Sequence, residues 1–173
     1  FGRPAMNEEQ LRFVHAHTIQ QALENLFEDD RLRQAAYDFR KTINYGGFLK
    51  HLTMEPGLVG LLDWMHGKFH TAIATNRTDT MKHLLREFRL SDRFDYVVTS
   101  LDVERPKPAP DPLFKILAHF NAHPQQALFV GDSEVDASTA HAAGVPFVAY
   151  RNLSLPADHH IDRLQDLRPL LER

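Results

Sequence analysis

The chemically richest stretch of the chain is Gly131-Asp132-Ser133-Glu134-Val135-Asp136, which joins a strand-like run, Ala127 to Val130, to a helix pattern from Ala137 to Ala143. Two acids, Asp132 and Asp136, therefore meet at one strand-to-helix corner. Like charges ~4 Å apart repel by about 4 kcal/mol at an effective dielectric of about 20, so such a pair takes up a proton or recruits a cation. The expected cation is Mg2+, a hard ion that prefers oxygen and binds one or two carboxylates together with water and phosphate oxygens. Two other places carry matching chemistry. Thr75 and Asn76 follow the apolar run from Phe69, and Lys107 sits among Pro106, Pro108, Pro110 and Pro112. A hydroxyl, an amide and backbone N–H groups at a helix start bind phosphate oxygens, and a lysine offsets charge on a transferring group. A phosphoryl site built from these parts still requires a nucleophile.

The elements that position these residues change character along the chain. Asn7 and Gln10 form a capping-box pattern for a helix to about Phe27, with Leu11, Val14, Ile19, Ala22, Leu23 and Leu26 as its apolar stripe. Asp29 and Asp30 open a second helix to about Thr42. Tyr45 to Pro56, with Gly46-Gly47 and Pro56-Gly57, reads as a boundary. Beyond it, helix and strand alternate: a helix over 57–65, a strand over 69–75, a helix capped by Thr78 to about Phe88, and a strand over 96–99. Asp111 then caps a helix to Phe120, followed by a strand over 127–130, a helix over 134–143 closed by Gly144, and a strand over 146–150. A small edge strand over 159–161 and a helix over 164–171 complete the pattern. Such alternation predicts an α/β, doubly wound, mostly parallel sheet with helices on both faces. Ligands bind at the carboxyl ends of strands in these folds, which is where Thr75, Asn76, Lys107, Asp132 and Asp136 fall.

Composition narrows the partner. The 20 basic and 23 acidic residues leave a net charge of −3, which argues against a nucleic-acid surface and favours a small molecule. The lack of cysteine removes disulfides, thiolate metal sites and a Cys nucleophile, and suits a reducing cytoplasm. Absence of any apolar run near ~20 residues predicts no membrane span. Asp63 with His66 has helical ligand spacing, but such a pair does not make a site, and the 11 histidines read as scattered surface residues rather than a transition-metal centre.

Taken in order, the three motifs resemble those of the haloacid dehalogenase superfamily, in the branch of phosphoglycolate phosphatases and related small phosphatases with a helical cap. Thr75-Asn76 is similar to the family's second motif, Arg105-Pro106-Lys107-Pro108-Ala109-Pro110-Asp111 to its third, and Gly131 to Asp136 to its fourth. The resemblance implies a partial helical cap over 1–52 and an α/β core over 53–173. It also implies a Mg2+-dependent phosphatase acting on a small phosphorylated metabolite, phosphoglycolate-like, through an aspartyl-phosphate. Thr75 would bond phosphoryl oxygens, Asn76 would help through its backbone, and Lys107 would neutralise charge and steady the nucleophile. Asp132 would ligate Mg2+, and Asp136 would hold the Mg2+ shell or Lys107. The dehalogenase branch does not need this acidic metal site, so Asp132 points to phosphate chemistry. A cap of this kind would close over the site, with hinges near Lys50 to Pro56.

The family's first motif is a strand ending in Asp-x-Asp, and no Asp-x-Asp after an apolar strand occurs among these residues. The expectation is that this strand and the first cap helix precede Phe1. The alternative is a non-catalytic phospho-ligand or partner-binding module without the nucleophile. A receiver domain also gathers acids, a Thr and a Lys on strand ends, but its acids come first in sequence. Singly, each residue also has a structural reading: Thr75 as a turn cap, Lys107 as a solvated residue on a stiff linker, Asp132 as a turn acceptor and Asp136 on an exposed helix turn.

Overall fold

The computed structural model describes residues 1–43, 46–49 and 51–172. It divides into two compact units, Phe1–Leu52 and Thr53–Arg173. Tyr45 and Lys50, which begin the expected boundary and hinge, lie outside the described residues.

The first unit is helical: α1 (Glu8–Ala16), α2 (Ile19–Leu26), α3 (Asp30–Thr42) and the short α4 (Gly46–Leu49). The single helix expected from Asn7 to Phe27 is two helices. His17 is extended, and Thr18 starts α2 with its own capping box: its hydroxyl accepts from the Gln21 N–H at 3.3 Å, and the Gln21 side chain accepts from the Thr18 N–H at 3.0 Å. A polar residue that satisfies the first N–H groups of a new helix makes the break favourable. Among the described residues of this unit, Ala22, Phe27 and Ala36 are the buried apolar ones, and the Phe1 ring meets Phe27 edge-on at 5.8 Å.

The second unit runs α5 (Leu58–Met65), β1 (Ala72–Ala74), α6 (Thr80–Glu87), β2 (Tyr96–Val98), α7 (Asp111–Phe120), β3 (Phe129–Gly131), α8 (Glu134–Ala143), β4 (Phe147–Tyr150), β5 (His159–Ile161) and α9 (Arg168–Leu171), with 3-10 turns at Pro124–Gln126 and Leu164–Leu167. Every strand pairing is parallel, and the strands form two ladders, β1-β2 and β3-β4-β5. In register, Ile73 faces Val97 and Val130 faces Val148. The doubly wound parallel class expected from the alternation is the one found.

Successive strand residues point to opposite faces, and the core follows that rule. Ile73 packs with Leu62 of α5 and Met81 and Leu85 of α6, whereas its neighbour Ala74 packs with Leu113 and Leu117 of α7. On the other ladder, Phe147 and Ala149 meet α8, while Val148 and Ile161 meet Leu61 of α5 and Leu167. Adjacent residues of α5, Leu61 and Leu62, thus serve different ladders and hold the two in fixed relation.

Local details depart from expectation in several places: the strand expected over 127–130 is Phe129–Gly131, and the helix expected over 164–171 is a 3-10 turn, Leu164–Leu167, followed by the short α9. The first strand spans three residues instead of 69–75, because its partner β2 offers only three. Asp79, not Thr78, is the N-cap of α6, and it accepts a hydrogen bond from the Thr78 hydroxyl at 2.8 Å. Asp111 does not cap α7: its carboxylate receives the Arg105 side chain at 2.8 and 3.2 Å, and Pro110 is the N-cap.

Candidate active site

The end of β1 turns sharply. Thr75 extends the ladder by one bond, its N–H donating to the Val98 carbonyl at 3.0 Å, and its hydroxyl accepts from the Arg77 N–H at 3.1 Å. The Arg77 carbonyl in turn accepts from the Ser100 N–H at 3.2 Å, so the loop after β1 is tied to the loop after β2. The Asn76 side chain donates through Nδ2 to the Lys107 carbonyl at 2.9 Å. A side-chain link between these two loops was not foreseen for Asn76.

Lys107 is reached through a braced loop. Arg105 grips Asp111 at the start of α7, which anchors the proline-rich segment at both sides of Lys107. That pairing holds the Asp111 carboxyl below its ordinary value, chiefly through the Arg105 hydrogen bond. The Lys107 Nζ donates to Asp136 Oδ1 at 2.6 Å and lies 5.7 Å from the centre of the Phe129 ring. Its side chain is 12% exposed and that of Asp136 is 8% exposed, which does not describe a solvated linker lysine.

The corner after β3 is set by Ser133, the N-cap of α8. Its hydroxyl donates to Asp136 Oδ2 at 2.6 Å and accepts from the Asp136 N–H at 3.2 Å. Asp136 is thereby turned inward, across Gly131. A Cβ at Gly131 would stand 2.4 Å from the Asp136 Cβ, so the absence of a side chain there is what admits the carboxylate. Asp132 takes the opposite course. It is exposed, and its carboxylate makes no hydrogen bond or ion pair among the described residues, while its carbonyl accepts from Asn152 Nδ2 at 2.9 Å.

Asn152, two residues beyond β4, is a residue that sequence reasoning missed. Its Oδ1 accepts from the Ser154 hydroxyl at 2.7 Å, so it fastens the loop after β4 to the loop after β3. The strand-end rule that picked out Thr75 and Asp132 would also have picked it out. Nearby, the Tyr150 hydroxyl donates to Glu55 at 2.6 Å and Arg151 pairs with the same carboxylate at 3.1 Å. Burial, and then the Glu55 contact, push the Tyr150 hydroxyl up from its ordinary value.

A continuous chain of hydrogen bonds thus runs from Asn76 through Lys107 and Asp136 to Ser133, with Thr75 and Asp132 one residue outside its ends. The two acids do not face each other as an uncompensated pair. Both oxygens of Asp136 are taken, by Lys107 and Ser133, so it stands as the support for Lys107; Asp132 alone presents a carboxylate outward. Among the described residues no three His, Asp or Glu side chains gather in a metal-binding group. A Mg2+ that keeps several waters and takes one carboxylate plus substrate oxygen fits Asp132; an all-protein cage does not fit.

Comparison with known proteins places this geometry in context. A family model described as haloacid dehalogenase-like hydrolase matches residues 1–150. Pyrophosphatase PpaX of Bacillus mycoides (strain KBAB4) is 36% identical over 110 residues, which are 58% of this chain and 51% of that protein. The chain spans about half the length of the curated relatives it matches. A crystal structure of a HAD-superfamily hydrolase, subfamily IA, variant 1, from Geobacter sulfurreducens aligns over 98% of this chain and 82% of its own, with 39% identity and a TM-score of 0.77. The fold is also that of a putative phosphoglycolate phosphatase from Lactobacillus plantarum, at 24% identity and a TM-score of 0.80, over 98% of this chain and 84% of that one.

Proposed function

Because the chain belongs to the haloacid dehalogenase-like hydrolases, we propose that it forms most of the active site of a Mg2+-dependent phosphatase for a small phosphorylated metabolite in the cytoplasm. The observation that carries this reading is the largely buried Lys107–Asp136 pair, held by Asn76 on one side and Ser133 on the other. An ammonium with one tightly placed counter-ion is oriented before substrate arrives, and preorganised positive charge is what a phosphoryl transition state needs. Thr75 and the N–H groups after β1 receive the phosphoryl oxygens. Asp132 is the residue to hold Mg2+, which when bound neutralises phosphate charge; Asp136 acts on that site through Lys107 and the α8 cap. The attacking aspartate is assigned to a strand that precedes Phe1, and the helical unit 1–52 to part of a cap that selects the substrate.

The relatives' names favour two substrates, pyrophosphate and phosphoglycolate, and both present a phosphoryl group beside a second anion. The test is phosphate release by the full product of the gene, with and without Mg2+, from these two and from sugar phosphates and nucleotides. Mg2+-dependent turnover that Asp132→Asn removes supports the reading. Binding of a phosphate analogue without any release, in a product that lacks Asp-x-Asp, overturns it in favour of a non-catalytic phospho-ligand module.

A further inference from the structure

The chain leaves β4 at Arg151, whose φ of 50° lies in the left-handed region. A residue with a Cβ adopts that backbone at a cost, so contacts elsewhere must hold it there. Those contacts are long-range. The Arg151 N–H donates to the Ile161 carbonyl at 2.9 Å, its Nε donates to the Asp162 carbonyl at 2.9 Å, and its Nη1 donates to Glu55 at 3.1 Å. The same Glu55 carboxylate accepts from the Tyr150 hydroxyl at 2.6 Å, and the Arg151 guanidinium lies 5.0 Å from the centre of the Tyr150 ring. Glu55 stands just before α5, 96 residues from Arg151 in sequence.

The turn at Arg151 decides where the next residue goes. β3 and β4 pair with Gly131 opposite Ala149, so in an unbroken ladder Asp132 would stand opposite Tyr150, and Asn152 would lie two residues past it. With Arg151 left-handed, the chain turns out of the ladder, and Asn152 Nδ2 donates to the Asp132 carbonyl at 2.9 Å. Global stability gains little from the Glu55–Arg151 pair. The two side chains are 45% and 50% exposed, and ion pairs so exposed contribute little to folding. What the pair does affect is the local choice between an extended and a left-handed residue 151.

We propose that Glu55 is a positioning residue for the Asp132 site: with Arg151 it locks the loop after β4 in the left-handed turn that presents Asn152 to Asp132. Its effect on a metal rests on the assignment of Asp132 to Mg2+; its effect on Asn152 rests on these hydrogen bonds alone. Glu55 acts through the Arg151 backbone and then through Asn152. Without Glu55, the guanidinium keeps only the Asp162 carbonyl, and residue 151 relaxes toward extended backbone. Asn152 then releases the Asp132 carbonyl, and the Asp132 carboxylate loses its fixed place. An ion held by one protein carboxylate together with water depends on that placement.

The test uses the full product of the gene. Glu55→Gln keeps an acceptor for Tyr150 and removes the ion pair. It raises the Mg2+ Kd about 10-fold in calorimetric titration, while the melting temperature moves by no more than about 3 °C. Arg151→Ala does the same. Arg151→Gly loses the same side-chain contacts but accepts positive φ without strain, so its Kd stays within about threefold of wild type, and adding Glu55→Gln to it changes nothing further. A second readout needs no metal. The NMR signals of the Asn152 side-chain amide shift toward those of a free amide in Glu55→Gln and Arg151→Ala, and stay in place in Arg151→Gly. If wild type binds no Mg2+, the phosphatase reading fails, and the Asn152 signals alone decide this inference. The proposal is overturned if Glu55→Gln leaves the Asn152 signals unchanged, if Arg151→Gly is as impaired as Arg151→Ala, or if any loss of Mg2+ affinity tracks a matching fall in melting temperature.

Discussion

Lys107 Nζ and Asp136 Oδ1 are 2.6 Å apart with 12% and 8% of their side chains exposed, so one largely buried ion pair links the loop after β2 to the first turn of α8. Its members are 29 residues apart in sequence. Breaking such a pair from one side strands a charge in a poorly solvated place, which typically costs 3–5 kcal/mol.

Asp136→Ala and Lys107→Ala should each lower unfolding stability by roughly 3 kcal/mol, whereas Lys107→Met with Asp136→Leu should cost much less than the two losses combined. Denaturant unfolding of the four proteins reads this out. Additive losses would show that the pair does not hold the two loops together.

Gly131→Ala is expected to destabilise by about 1–3 kcal/mol through overpacking, since the new Cβ meets the Asp136 side chain 2.4 Å away. In the full gene product the same change should lower kcat more than it raises KM, because it displaces the counter-ion of Lys107. A variant as stable as wild type would show that Asp136 does not lie across Gly131.

Asn152→Ala is predicted to weaken Mg2+ binding while leaving phosphate-analogue affinity nearly unchanged. Its side chain donates to the Asp132 carbonyl at 2.9 Å and accepts from the Ser154 hydroxyl at 2.7 Å, and among the described residues it makes no hydrogen bond to Thr75 or Lys107. Outer-layer contacts of this kind change metal affinity by about 10–100-fold. Calorimetric titration of Mg2+ separates this from a general loss of folding.

Asp102 provides a pH signature. Its carboxylate accepts from the Thr99 hydroxyl at 2.6 Å and the Thr99 N–H at 2.8 Å, and these bonds hold it below its usual 3.8. A folded-state value below the unfolded one stabilises fully above 3.8 and loses that contribution as pH falls through the lower folded value. The stability gap between wild type and Asp102→Asn should therefore narrow from neutral pH to about pH 3. A gap independent of pH would contradict it.

Thr18→Ala should cost about 1 kcal/mol in the helical unit, since it removes the capping box that starts α2. Circular dichroism should show helix loss confined to a small fraction of the signal. An unchanged stability would mean that the break at His17 has another cause.

Much of the fold was legible because its signals are local. Asp29 before α3, Ser133 before α8 and Gly144 after it are caps whose partners lie within three or four residues, and these helices begin and end where the residues themselves imply. The break at Thr18 was equally local, a Thr-x-x-Gln pattern beneath a continuous apolar stripe. Strand lengths were not legible, because a strand ends where its partner ends, and Tyr96–Val98 limits β1 to three residues.

The site divides along the same line. Residue types at strand ends, Thr75, Lys107, Asp132 and Asp136, are readable from sequence because the alternation of helix and strand places them at one sheet edge. What each carboxylate does is not, because Asp132 and Asp136 are chemically alike and three residues separate them. Only the packed structure turns Asp136 inward over Gly131 onto Lys107 and leaves Asp132 facing out. Likewise, the side-chain role of Asn76 and the tie made by Asn152 depend on contacts across 31 and 20 residues. Local sequence determines which groups exist and where elements start; burial and long-range hydrogen bonding decide which of two identical groups is spent on structure and which is left for a ligand.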